Sequence, residues 1–404
     1  MKLIDGKYAT AKVFTDNIEE SASQQILSLC NQSFVDGCKI RIMPDVHAGT
    51  GCVIGFTADL GNKVIPSIVG VDIGCGMLVA ELGKNHIDPK KLDEVIHGRV
   101  PAGMAVHEEP TLEENFLDDL TCKDSLHNID RIVRSLGTLG GGNHFIELDE
   151  DDNDNQYLVI HTGSRNLGKQ VAEYYQNVAI SNLKGKNKKK EAVDALINQL
   201  KAEGREKEIS QKLSELNFKF PDIPNELCYL EGKDREAYLH DMKICQNFAT
   251  MNRLHIMNEI LNGVGLQEKI PEIHFFQTVH NYIDMSDNII RKGSVSAKKG
   301  ERLIIPLNMK DGSLICIGKG NPDWNCSAPH GAGRMYSRVV AKKAFSIDEF
   351  KKQMDGIYST SVNEGTLDEC PMAYKPAQEI IDAISPTVEI INHIKPVYNF
   401  KAGE

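Results

Sequence analysis

The chain has 404 residues, 41% hydrophobic and 25% charged, with 46 Lys and Arg against 57 Asp and Glu. The formal net charge of -11 argues against a protein that coats nucleic acid nonspecifically, which needs a basic surface. No apolar run reaches the roughly 20 residues that span a bilayer, and Met1-Lys2-Leu3-Ile4-Asp5-Gly6-Lys7 lacks the apolar centre of a signal peptide, so the expected location is the cytoplasm, with no membrane partner.

In chain order, residues 39–43 read as a strand, 44–51 as a loop and 52–57 as a second strand. Residues 86–135 read as mixed and largely helical. A glycine-rich loop, Gly140-Gly141-Gly142-Asn143, then runs into a strand that follows His144. It is neither a Walker A loop nor a GxGxxG fingerprint, although its amides can face an anion. An acidic turn over 149–155 leads to a strand at 157–161, which ends on His161 and turns into a helix. These two histidine-bearing strands suit paired ligands at one sheet edge.

The basic run Lys184, Lys186, Lys188, Lys189 and Lys190 opens a segment of different character. Val193, Leu196, Ile197 and Leu200, then Ile209, Leu213 and Leu216, recur at helical spacing, giving two amphipathic helices. Such a segment is either a solvated insertion or a contact for a nucleic-acid backbone. Residues 236–261 read as one long helix, and strands return near 273–279 and 302–306, with Pro306 ending the second. No repeat and no Pro- or Ser-rich linker divides the chain. The expectation is one domain over 1–404, with a charged helical insertion at about 183–245.

The ten cysteines form no CxxC pair and read as reduced thiols, mostly packed as small apolar residues. Cys75 is the exception. In Gly70-Val71-Asp72-Ile73-Gly74-Cys75-Gly76 a carboxylate and a thiol three residues apart can face one cation. His144, His161 and His280 sit in glycine- or Asn-rich settings and complete a set of one oxygen, one sulfur and three nitrogen donors. That mixture suits a borderline metal such as Mn, Co or Zn better than Mg or Ca. Taken singly, a histidine at a strand end is usually structural. His47, beside Asp45 and two glycines, is intermediate.

A second constellation is Cys326-Ser327-Ala328-Pro329-His330-Gly331-Ala332-Gly333-Arg334. The glycines allow a phosphate close to the backbone, Arg334 offers a fork of donors, and a neutral His330 can attack phosphorus. The alternative is a histidine in a tight turn. Lys401 follows the apolar run Pro396-Val397-Tyr398-Asn399-Phe400, which implies a docked tail.

At these motifs the chain resembles the RtcB family, GTP-dependent RNA ligases that join a 3′-phosphate or 2′,3′-cyclic phosphate end to a 5′-hydroxyl. The strings, in the family's order, are Met43-Pro44-Asp45-Val46-His47, the Asp72–Cys75 stretch, Gly140 to Glu147, His161-Thr162-Gly163-Ser164-Arg165, Val279-His280-Asn281-Tyr282 and His330 to Arg334. The resemblance implies an α+β fold, with mixed sheets around a central metal and nucleotide cleft and helices at the periphery. It implies that Cys75 bridges two Mn ions, with Asp72 and His144 on one and His161 and His280 on the other. His330 takes GMP from GTP. Asn143, Glu147 and Asn281 hold the guanylate, as do Pro306, Leu307, Asn308, Met309 and Ser313. Gly331, Ala332 and Gly333 line it, and Lys401 reaches it from the tail.

Glu147 is expected to orient His330, and the RNA to lie on a basic patch near Arg165, Lys298, Lys299 and Arg334. The implied role is RNA repair or tRNA splicing, with an archease-like activator as a further partner. The chain departs from the family at Thr50, where tyrosine is usual, over 52–62, where a Pro-Ile-Gly pattern is common, and at Leu307-Asn308, where Gly-Ser is common. It reads as a divergent, shorter branch. The competing readings are a metal-dependent phosphohydrolase acting on RNA ends without ligation, and a nonenzymatic module that senses RNA ends.

Overall fold

The structure is a computed structural model that describes residues 1–215 and 221–403; Leu216 and the side chains of residues 186–188 lie outside the described set. Short β-branched runs separated by glycine turns build three sheets. A seven-stranded sheet runs in the order Arg302–Asn308, Gly312–Gly318, Val388–Phe400, Phe145–Glu150, Gln156–Thr162, Gly76–Gly83 and His274–Val279. Its two outer strands approach each other, because the Ile304 N–H donates to Thr278 Oγ1 at 3.1 Å, so the sheet curls toward a barrel.

Period-two alternation separates its faces. Met77, Val79, Phe145, Val159, Ile304, Ile315 and Ile394 fill the interior. Leu78, Ala80, Ile146, Leu148, Leu158 and Ile160 pack outward with Ile256, Met257 and Ile260 of the long helix Gly232–Val264. A six-stranded sheet has the order Lys2–Asp5, Thr10–Val13, Ile40–His47, Ile54–Ala58, Ile289–Lys292 and Asn281–Asp284. A ribbon of Ser294–Ser296 and Ser327–Pro329 completes the set. The architecture is mixed α+β. All ten cysteines are free, and no helix among the described residues is long and apolar enough to cross a membrane.

Three sequence expectations are corrected. The strand Ile40–His47 runs through Pro44 and Asp45, read above as loop; a register shift between Ile42 and His47 takes the proline off the ladder. Pro306 does not end its strand, which continues to Asn308, because that strand is at the edge of its sheet, where a missing N–H is tolerated. Residues 86–135 are mostly irregular, with α-helix only at Pro89–Arg99 and Ile129–Val133.

That irregular stretch is pinned from a distance. Asp241, fully buried on the long helix, accepts the backbone N–H groups of Thr121 at 2.9 Å and Cys122 at 3.0 Å and the Tyr175 hydroxyl at 2.8 Å. The segment 183–245 has two parts. Helices Lys186–Ala202 and Ile209–Glu215 show Leu200 as their only buried residue among those described. Leu227, Tyr238, Met242 and Cys245 belong to the core.

Replacing Asp241 with Ala strands the buried Cys122 N–H and Tyr175 hydroxyl and frees the Thr121 N–H, and is expected to cost about 3 kcal/mol in denaturant unfolding. Burial pushes the Asp241 carboxyl up, but the Thr121 N–H and its other donors outweigh that and hold it below the usual carboxylate range. Its stabilisation is therefore present above the unfolded-state value and is lost as pH falls through the lower folded-state one. The wild-type advantage over D241A should shrink in acid.

Candidate active site

Gly70, at φ 104°, ends the short helix Pro66–Val69, and Gly74, at φ 72°, completes the turn that follows. The Cys75 N–H donates to Asp72 O at 3.1 Å, which folds the carboxylate and the thiol toward each other. The next residue fixes the register. Gly76 pairs with Thr162 on one side and Val279 on the other, and a Cβ there would lie 2.4 Å from Thr278 O. The His280 N–H donates to Cys75 O at 2.9 Å, and His161 stands opposite Phe145, next to His144. Four separate segments therefore deliver ligand-type side chains to one point.

The side chains converge. Cys75 Sγ lies 3.4 Å from His144 Nε2 and 3.3 Å from His161 Nε2. His144 Nε2 is 3.0 Å from Asp72 Oδ2, and His161 Nε2 is 3.3 Å from His280 Nε2. His144 Nδ1–H donates to Leu139 O at 2.8 Å, and His161 Nδ1–H to Asn143 O at 3.1 Å. The Asn143 carbonyl fixes the His161 tautomer and leaves its Nε2 lone pair bare and aimed at the thiol, the arrangement of a metal ligand, while His144 Nε2 faces both the thiol and the Asp72 carboxylate. Ligand atoms of Cys75, His144 and His161 all lie within 4.8 Å of one another in buried side chains, a group able to hold a metal ion.

The electrostatics agree. Burial holds His161 and His280 well below the usual imidazole range, so both are neutral. Burial, with the Asp72 charge added, pushes the Cys75 thiol well up. Burial also raises Asp72, but the hydrogen bond and charge of His144 outweigh it and bring the carboxyl to about 2. Arg253, fully buried, clamps the cradle from behind: Nη1 donates to Gly74 O at 3.0 Å and Thr162 O at 2.8 Å, and Nε to Gln277 Oε1 at 2.7 Å.

His330 stands beside this cradle, its ring centroid 4.8 Å from that of His280. Its Nδ1–H donates to Asp45 Oδ2 at 2.7 Å, and its backbone N–H donates to the same oxygen at 3.1 Å. Asp45 is fully buried. Gly333, at φ 78°, packs so closely that a Cβ would lie 2.4 Å from Asp45 O, which explains the glycine spacing after His330. With the proton on Nδ1, Nε2 carries the free lone pair.

A cavity of about 560 Å³ opens at His330 and His161, within the usual range for small-ligand pockets. One wall is cationic and is gathered by the buried Glu369. That carboxylate accepts from Arg334 and Arg338 at 2.9 Å each, from Lys401 at 2.6 Å and from the Tyr374 hydroxyl at 2.5 Å. Burial raises Glu369, but Lys401, Arg338 and Arg334 outweigh it and bring the carboxyl to about 2.

The family model described as tRNA-splicing ligase RtcB matches residues 28–129 and 115–402. The chain belongs to the RtcB family. It is 30% identical to the RNA-splicing ligase RtcB of Escherichia coli strain K12 over 434 aligned residues, covering 98% of each chain. It is 28% identical to the tRNA-splicing ligase RtcB of Nanoarchaeum equitans, over 84% of this chain and 83% of the relative. The corresponding protein of Methanococcus maripaludis is 24% identical, over 94% and 90%. Against the Escherichia coli relative this chain is matched almost end to end in both directions.

Within this RtcB chain, Asp72, Cys75, His144, His161 and His280 come together as one cluster. Asn143, Glu147, Pro306, Leu307, Asn308, Met309, Gly331, Ala332, Gly333 and Lys401 line the cavity with His330. Asn281 and Ser313 do not. Asn281 Nδ2 donates to Asp72 O at 3.2 Å and its Oδ1 accepts from the Gly293 N–H at 3.0 Å, so it braces the cradle. Ser313 is fully buried in the sheet.

Other expectations fail. Glu147 does not orient His330: it accepts from Asn399, and Asp45 takes the histidine. The donor fork of Arg334 is engaged by Glu369, Asp368 O and Tyr336 O. Of the other cations expected to hold RNA, Arg165 is tucked beside His144 and Lys298 is paired with Asp284. The histidine strands are central in their sheet and offer ligands at their ends, not at a sheet edge. The sequence reading missed Arg338, Tyr374 and Glu369, which no local motif marks, and Asp45, whose string with His47 was quoted without a role.

Because the Cys75 thiol is protonated near neutral pH, loading with Mn²⁺ or Zn²⁺ should release about one proton per site. Calorimetry in buffers of different ionisation enthalpy reads that number. Affinity should rise with pH, and C75S should release none.

Proposed function

We propose that this chain is an RNA ligase that joins 3′-phosphate or 2′,3′-cyclic phosphate ends to 5′-hydroxyl ends through a GMP carried on His330. One observation bears most of the weight: a buried Asp45 holds the Nδ1 proton of a histidine that stands between a metal-type cradle and a nucleotide-sized cavity. The relatives' names, RNA-splicing ligase and tRNA-splicing ligase, support the same substrate class. The chain acts as one ligase domain over 1–404, with 183–245 as a charged helical insertion. It works in the cytoplasm and is open to an archease-like activator.

Asp72, Cys75 and His144 would hold one Mn²⁺, and Cys75, His161 and His280 a second; the mixed oxygen, sulfur and nitrogen donor set and its convergence in buried side chains fit. When bound, the ions supply positive charge against phosphate oxygens. GTP enters the cavity with its base toward Glu147 and Lys401 and its α-phosphate at His330; Asn143, residues 306–309 and Gly331 to Gly333 surround it. Asp45 keeps the proton on Nδ1, so Nε2 attacks the α-phosphorus. An N–P bond forms, the P–O bond to the β-phosphate breaks and pyrophosphate leaves. An RNA 3′-phosphate oxygen then takes the guanylate from His330, the 5′-hydroxyl attacks the activated phosphate, and GMP departs. A cyclic end is first hydrolysed: water adds to phosphorus, the P–O2′ bond breaks, and a 3′-phosphate with a free 2′-hydroxyl results.

Incubation with α-labelled GTP and Mn²⁺ should leave acid-labile label on the protein, none on H330A, and label D45N at least roughly 10²-fold more slowly. Unlabelled wild-type protein that still hydrolyses RNA cyclic ends would point to the phosphohydrolase instead. In elemental analysis C75A should lose both ions and H161A mainly one; equal loss from the two variants contradicts a shared thiolate.

A further inference from the structure

His47 lines the same cavity as His330 and takes no part in the steps proposed above. It closes the strand Ile40–His47, paired there with Ile54. Its Nδ1 lies 3.0 Å from Asp45 O. A carbonyl only accepts, so the ring proton sits on Nδ1 and Nε2 keeps its lone pair. That Nε2 has no hydrogen-bond partner among the described residues. Burial, opposed by the Asp45 carbonyl and charge, holds His47 below the usual imidazole range, so the ring is neutral near pH 7. The backbone beyond it is fixed. The Ala48 N–H donates to Glu19 Oε1 at 2.7 Å, the Gly49 N–H to Gln25 Oε1 at 3.2 Å, and Gln25 Nε2 to Gly49 O at 2.7 Å. Asp45 thus positions two imidazoles at one cavity: His330 through its carboxylate and His47 through its backbone carbonyl.

The proton balance of ligation shows where such a group is needed. His330 Nε2 and the RNA 3′-phosphate oxygen attack without shedding a proton. The 5′-hydroxyl is neutral and must lose its proton as it attacks, whereas GMP leaves as a phosphate anion and takes none. Hydrolysis of a cyclic end needs a base and an acid; the sealing step needs a base alone. Other cavity groups are committed elsewhere. Arg334, Arg338 and Lys401 are cations tied to Glu369, and the Tyr374 hydroxyl donates to it. Glu147 accepts from Asn399, and His161 Nε2 faces the thiol. His330 stands at the guanylate phosphorus, not at the phosphorus under attack. We propose that His47 is the general base of the sealing step. Its Nε2 takes the proton of the 5′-hydroxyl as that oxygen bonds to the activated 3′-phosphorus; the P–O bond to the guanylate breaks, and GMP leaves with the electron pair. This assignment rests on the ligase reading above.

RNA synthesised with guanylate already on its 3′-phosphate, mixed with a 5′-hydroxyl strand and the Mn²⁺-loaded full chain without GTP, isolates this step. H47A and H47N should seal about 10²-fold more slowly than wild type; H47N keeps a donor for Asp45 O but has no free ring nitrogen. Added imidazole should raise the H47A rate in proportion to its concentration. With a 5′-thiol strand, whose nucleophile sheds its proton far more readily, wild type and variants should agree within about threefold. Sealing at the wild-type rate by either variant overturns the inference, as does an undiminished defect on the thiol strand. If H47A does not fold, the hydroxyl and thiol strands with H47N decide. Loss of Mn from soluble H47N also overturns it, since His47 is then a metal ligand. Wild type that seals these ends but takes no label from GTP sinks the His330 reading, and the variants still judge His47. Wild type that seals nothing sinks both.

Discussion

The candidate site depends on the close pairing of Gly76 with two strands at once. The strand that Gly76 opens lies between Gln156–Thr162 and His274–Val279, and its backbone approaches Thr278 so tightly that no side chain fits. A slip of one residue would turn Cys75 away from His161 and send the alternating apolar set of the strand to the wrong face. Arg253 reinforces the same junction from the helix side by holding the carbonyls of Gly74 and Thr162. A buried, hydrogen-bonded guanidinium is costly to place there, and it ties the Cys75 turn, the His161 strand and Gln277 on the neighbouring strand to one rigid helix.

Around that junction the charges are arranged in separate compartments. The cradle is made of three imidazoles, two of them held neutral by burial, with a thiol and one carboxylate held below its usual range. His330, the proposed nucleophile, is held by Asp45 from the other sheet, and the cationic wall of the cavity is organised by Glu369. Asp72, Asp45 and Glu369 each have a distinct set of partners. On the proposed function, the cradle is the place for metal, His330 the place for attack at phosphorus and the cavity the place for a base. That separation is what a stepwise transfer of a nucleotidyl group requires.

Much of this was legible in the sequence, for identifiable reasons. The ligand residues sit in glycine-rich turns because close backbone approach demands glycine, so local strings reveal them. The two histidine strands and the long helix follow from periodicity. The partners that act at long range left no such trace. Asp45 and His330 are separated by 285 positions, and Asp45 lies in a bulged strand whose Pro44 reads as a turn. Asp241 orders an irregular segment about 120 residues away, which the sequence presents as helical. Glu369 and Arg338 sit in ordinary charged surroundings and become a cavity wall only when the tail strand brings Lys401 to them. Asn281 and Ser313, carried over by resemblance, fall behind the cradle and inside the sheet.

The central claim, that one thiolate and one aspartate-held histidine organise metal and guanylate at a single point, is tested most directly by anomalous diffraction from crystals grown with Mn²⁺ and GTP. The expected result is two Mn peaks roughly 3.5–4 Å apart, both within bonding distance of Cys75 Sγ, with a guanylate phosphorus bonded to His330 Nε2. Peaks away from Cys75, or a nucleotide bound elsewhere with His330 unmodified, would contradict it.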